Sequence, residues 1–123
     1  MRRNTMRRQR AVTRVMAGAG AASGIALLAR PQRIVDAVAP AFPRERVWLV
    51  RALGARLLTQ HGAVLVAPGP RLVRVGSAVD LLHAASMVPF LASPRYGRAA
   101  RISGGLAAAY AAVALGVAAR PRS

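Results

Sequence analysis

Four side chains in the middle of this sequence could do chemistry together. Arg56 and Gln60 lie one helical turn apart, and Asp80 and His83 lie three residues apart. At about 100° per helical residue, Arg56, Thr59, Gln60, Ala63 and Ala67 share one face. Asp80, His83, Ala84 and Met87 share a face of the next helix, flanked by Gly76 and Ser77. Between the two faces stands Ala67-Pro68-Gly69-Pro70, which breaks a helix and favours a sharp reversal. A hairpin folded about Gly69 sets Arg56 opposite position 82, so Asp80 and His83 both fall within about 3 Å of its level. An Arg56–Asp80 ion pair is therefore expected, with Gln60 and His83 in reach. Its simplest role is to hold two helices in register, since either charge alone in an apolar setting is expensive. A path for a proton or small ligand through Asp80 and His83 is the functional alternative.

Other chemistries find little support. Asp80 and His83 give two metal donors, and His61 points about 140° away from Arg56, so neither a metal site nor a cofactor is expected. Asp80, His83 and Ser86 lack the geometry of a hydrolytic triad, and no catalytic residue is assigned. With no cysteine, disulfides and thiolate metal sites are excluded.

The elements that must carry these residues follow from charge and hydropathy. The chain has 123 residues, 54% of them hydrophobic, with 19 basic residues (all arginine) against 3 acidic, a formal charge of +16. Disorder does not suit so apolar a composition, and a small soluble globule cannot hide that much apolar surface. The arginines fall in groups separated by apolar stretches. Six lie between Arg2 and Arg14, four between Arg30 and Arg46, then come Arg71 and Arg74, then Arg95, Arg98 and Arg101, and Arg120 and Arg122 end the sequence. Only Arg51 and Arg56 interrupt an apolar stretch. Spanning a bilayer takes about 20 helical residues. Four segments qualify, at 12–29, 47–67, 72–92 and 101–119, and form one membrane domain over 12–119. Residues 1–11 then form a basic cytoplasmic tail and 120–123 a second one. The expected fold is all-α, a four-helix transmembrane bundle with short loops.

The connections add detail. Pro31 to Pro43 is too long for a simple turn, and Ile34, Val35 and Val38 group on one side of an interfacial half-helix; an extended loop is the equal alternative. Pro89 should kink or end the third span. The arginine-rich start weighs toward a cytoplasmic N-terminus, and four spans return the C-terminus to the same side. That start also resembles a secretory leader over residues 1–30, but no small-x-small cleavage site with a polar mature start follows Leu28. Either Met1 or Met6 could begin the chain. Gly20 and Gly24 form a GxxxG pair, and Gly104/Ala108 and Gly105/Ala109 are weaker versions. They permit close packing within one chain, with a seam between copies as the alternative. Trp48 and Tyr96 suit interfacial anchoring.

Three short stretches resemble a known group. Arg51-Ala-Leu-Gly-Ala-Arg56, Asp80-Leu-Leu-His83 and Ser93-Pro-Arg-Tyr are similar to segments of small actinobacterial four-helix membrane proteins, loosely DoxX-like. The resemblance runs from about residue 12 to 119 and implies four spans with a polar cluster between the second and third. It implies no catalytic residue. The expected function is that of an integral membrane protein in a structural, accessory or partner-binding role, its partner a membrane protein or a second copy. A component of a proton, quinone or amphiphile pathway is the second reading. A soluble arginine-rich nucleic-acid binder is the third, disfavoured because the arginines bracket apolar spans and no basic–aromatic motif accompanies them. Anionic lipid headgroups are the natural partner of the basic N-terminus.

Overall fold

The computed structural model describes residues 1–118 and is all-helical among them. Arg120 and Arg122, the last position of the fourth expected span and the expected C-terminal tail lie outside the described residues. Five helices follow one another: α1 (Arg2–Ala29), α2 (Pro31–Val38), α3 (Val47–Val66), α4 (Pro70–Met87) and α5 (Gly97–Ala118). Four are long. At about 1.5 Å per residue, α1, α3, α4 and α5 measure about 42, 30, 27 and 33 Å, against about 30 Å for the hydrocarbon core of a bilayer. Two of them, α1 and α5, are both long and apolar enough to cross a membrane.

The basic segment expected as a tail is instead the start of α1. Nothing between Arg2 and Val15 is a glycine or proline, and arginine, methionine and glutamine are good helix formers, so the helix runs back to residue 2. At the far end of the first span, Arg30 leaves helical geometry and Pro31 starts α2, where its missing N–H is no loss. This element is the half-helix that the periodicity allowed. Its buried side differs from the expected one: Val35, Ala39 and Phe42 form a small core against Val50, Tyr96 and Ala99, whereas Val38 is exposed. Tyr96 is thereby drawn away from an anchoring role, sitting edge-on to Phe42 at 5.5 Å and to Phe90 at 5.8 Å. Two ion pairs staple the same end, Arg95 to Glu45 at 2.8 Å and Arg44 to Asp36 at 3.8 Å.

Helix α4 stops at Met87, five residues short of the expected limit. Pro89 has no N–H to donate, so the chain tightens into a 3-10 turn over Val88–Phe90. The backbone N–H of Val88 donates to Ala85 O. At the other end of α4 the reversal occupies only Ala67–Gly69, and no residue there takes a left-handed conformation.

Packing divides the bundle into two pairs. Helix α1 lies along α3 and α4 along α5, whereas α3 meets α4 sparingly. Small residues build both seams, as they do where backbones must approach closely. Gly24 and Gly54 face each other so tightly that a Cβ on Gly24 would lie 2.6 Å from Gly54 O, and one on Gly54 would lie 2.8 Å from Gly24 O. Along α5 the seam is Gly97, Ala100, Gly104, Ala107 and Ala111, a seven-residue rhythm of buried positions. Gly104 touches Met87, while Gly105 meets nothing within 4 Å and its expected packing role is not seen. A glycine pair four apart marks closeness only on the face that the partner occupies, and Gly105 points off that face.

The buried set is mostly small and apolar, with Ala17, Ala21, Ala100, Ala107 and Ala111 beside Val35, Phe42 and Val64, while many large apolar side chains face outward. Leu82 is 72% exposed, Val15 71% and Leu106 57%, while the buried polar residues His61, Ser77 and Asp80 are 6%, 3% and 4% exposed.

Candidate functional site

The polar cluster forms at mid-height of the bundle. Arg56 is the tenth of the 20 residues of α3, and Asp80 the eleventh of the 18 of α4. Arg56 Nη1 lies 3.4 Å from Asp80 Oδ1 and donates to Gln60 Oε1 at 3.1 Å, an i, i+4 contact within α3. Gln60 then reaches across the gap, its Nε2 donating to Gly76 O at 3.1 Å. A Cβ at position 76 would sit 3.2 Å from that Nε2, so the glycine makes room for the bond. Two links thus tie α3 to α4 where their backbones stand apart, and the Arg56–Gln60 bond within α3 connects them. The Asp80 side chain is 6% exposed and that of Arg56 25%, so the carboxylate is buried and the Arg56 side chain reaches a groove on the bundle surface.

His83 stands one turn further along α4, with its Nε2 buried and without a hydrogen-bond partner, so it neighbours the cluster but does not bond to it. His61 is the residue that periodicity undervalued. It lies off the Arg56 face as expected, yet it is the most buried side chain of its helix after Gly54 is set aside, wedged between Gly20 of α1 and Tyr110 of α5. The His61 and Tyr110 rings are 5.1 Å apart between centroids, and His61 Nε2 has no partner. A legible signal existed: Gly54, His61 and Val64 repeat at seven and three residues, the spacing of a seam. Ser77, donating to Val73 O at 2.8 Å, completes the buried polar set. Among the described residues no three histidine or carboxylate side chains converge to hold a metal.

A cavity of about 700 Å³ opens between the two helix pairs. Its inner wall includes Gln60, His61, Ser77, Asp80 and Tyr110. Arg2, Arg10, Arg14 and Arg74 also line it, toward the end where α1 begins and the α3–α4 reversal lies. Gln9 Nε2 donates to Val117 O at 3.2 Å and ties α1 to α5 there. The lining combines arginines, apolar side chains and hydrogen-bonding groups.

Comparison with protein-family models, with curated proteins and with solved structures finds no match to this chain.

Proposed function

We propose that this chain is a multi-pass membrane protein whose four long helices span the bilayer, with both termini on the cytoplasmic face. Its Arg56–Gln60–Asp80 cluster serves to join two helix pairs into one body, in a structural, accessory or partner-binding role. The exposed apolar surface carries this reading. Large apolar side chains such as Val15, Ile25, Leu82, Leu106 and Leu115 cover the outside while small residues line the seams, an arrangement that water penalises and hydrocarbon favours. Only 22% of the most apolar window of α1, and the same share for α5, is buried within the chain, whereas the core helix of a soluble protein is mostly covered. The most apolar stretches of α3 and α4 fall short of those in α1 and α5, and in a bilayer their charges are accommodated by the interhelical pair and by Arg51, which is the fifth residue of α3 and can extend its head to the surface.

Sidedness rests on the arginines. The end bearing Arg2, Arg3, Arg7, Arg8, Arg10, Arg14, Arg71 and Arg74 has no acidic residue, while the opposite end mixes its arginines with Asp36 and Glu45. The resemblance to DoxX-like proteins adds its three short stretches and nothing about activity. The experiment is alkaline carbonate extraction with reporter fusions at each terminus and after Pro40. Retention in the membrane pellet, with cytoplasmic signals from both termini and an external one from the α2 connection, is the expected result. Release into the supernatant overturns the proposal.

A second reading is favoured by the cavity that reaches Asp80, because a proton, quinone or amphiphile pathway needs such an opening. Asp80→Asn tests it: a folded variant with every transport or redox phenotype unchanged sinks the pathway.

A further inference from the structure

We infer that the cavity between the helix pairs is a binding site for a phosphate-headed, single-chain amphiphile, its head held at the arginine collar and its tail between the pairs. The inference rests on the membrane reading above. Charge chooses the head. Arg2, Arg10, Arg14 and Arg74 all line the cavity, Asp80 at its floor is the one carboxylate among the described lining residues, and guanidinium forks bind phosphate oxygens in pairs. The same fixed positive charge opposes entry of a metal cation.

Shape chooses the tail. On α4 the cavity wall runs from Pro70 past Arg74 to Asp80, about 15 Å, and its apolar lining includes Met16, Val64, Leu72, Ala114 and Val117. A volume of about 700 Å³ lies within the 300–1,000 Å³ typical of small-ligand sites, enough for one chain. The floor does not repel such a tail electrostatically, because Asp80 is already paired with Arg56. The collar is also built to stay in place. Arg2, Arg10 and Arg14 project from a continuous helix whose rim is tied to α5 through the Gln9–Val117 bond, so they do not belong to a free tail.

The test uses the full chain purified in a neutral maltoside detergent and titrated with oleoyl lysophosphatidic acid, followed by native mass spectrometry. One equivalent should bind at least tenfold more tightly than oleoyl lysophosphatidylcholine, and millimolar inorganic phosphate should not displace it. Arg10→Gln with Arg14→Gln should weaken binding tenfold or more. Ala114→Phe, which fills the cavity at unchanged charge, should weaken it equally. Equal affinity for the two lysolipids, full displacement by phosphate, or wild-type binding by Ala114→Phe each overturns the assignment. Should Ala114→Phe fail to accumulate, a diazirine-tailed lysophosphatidic acid on the wild-type chain decides. Crosslinks to Val64, Ala114 and Val117 support the site, and crosslinks confined to the outward Leu82 and Leu106 refute it. A chain that stays in solution without detergent defeats the membrane reading itself, whereas a detergent-held chain indifferent to the amphiphile defeats only the cavity assignment.

Discussion

The Arg56–Asp80 link can be weighed by a double-mutant cycle. Arg56→Met keeps most of the stem and removes the charge, and Asp80→Asn keeps the shape of the carboxylate. At the observed 3.4 Å, two unit charges attract by about 5 kcal/mol at an effective dielectric of about 20, and desolvation offsets much of that. Removing one partner leaves the other uncompensated, which destabilises by about 3–5 kcal/mol at buried sites. The lower end applies here, because Arg56 retains Gln60 as an acceptor and reaches a surface groove. Each single variant should therefore lose about 3 kcal/mol. The double variant, which buries no charge, should lose little more than either one alone. The coupling is then about 2–3 kcal/mol, roughly 30- to 150-fold in the unfolding constant. That exceeds the roughly 1.7 kcal/mol maximum found for neutral interhelical hydrogen bonds in a membrane. Reversible unfolding in mixed micelles supplies the assay, followed by Trp48 fluorescence and by protection of an introduced Ala111→Cys thiol, which is the only thiol in this cysteine-free chain. Additive losses, with coupling below about 0.5 kcal/mol, would mean that the two charges are solvated independently and would refute the argument.

Three further outcomes are expected. Gly24→Ala places a methyl 2.6 Å from the backbone of Gly54 and Leu58, forcing α1 from α3 and lowering stability by about 1–3 kcal/mol in the same assay, while Gly105→Ala, with nothing within 4 Å, should be neutral or slightly stabilising. Gly20→Ala collides with the imidazole of His61, so it should destabilise by a similar amount and His61→Ala in the same chain should restore part of the loss; no recovery would show that the clash lies elsewhere. The Glu45 carboxyl is held below its ordinary value of 4.5, first by a backbone hydrogen bond of its own residue and then by Arg95. A depressed carboxyl contributes stability that is present above its unfolded value and lost as pH falls through the folded one. Amide protection over residues 40–46, taken as the exchange rate relative to the intrinsic rate at each pH, should therefore fall in acid, and Glu45→Gln should flatten that dependence; an unchanged profile refutes the link.

Much of the helical plan was legible because proline and charge mark the ends of apolar runs. Pro31, Pro68, Pro70 and Pro89 each stand within two residues of a helix boundary. The level of Asp80 against Arg56 could be read because a three-residue reversal leaves almost no freedom of register. Which helices pair could not be read, since small residues recur on several faces of α1 and α5 and only the partner's position selects one. The same ambiguity hid His61. A histidine on an otherwise apolar face looks like an outlier until Gly20 opposite it is known to leave room for the ring. The basic start of α1 misled for another reason: clustered arginine suggests a solvated tail, yet arginine is a good helix former and nothing in that stretch breaks the helix.

The division into pairs has a consequence for how the chain is made. Arg56 and Asp80 are 24 residues apart in sequence and belong to different pairs. At about 5–20 residues per second of synthesis, the arginine is complete about 1–5 s before its carboxylate exists. Throughout that interval α3 can settle against α1, through Gly24 and Gly54, while still carrying an unmatched charge at its midpoint. On the membrane reading, α3 either waits at the insertion machinery until α4 emerges or enters the bilayer with it as a hairpin. The order of insertion is thus coupled to a single ion pair, and a ribosomal pause between codons 57 and 80 would lengthen the most exposed moment in the life of this protein.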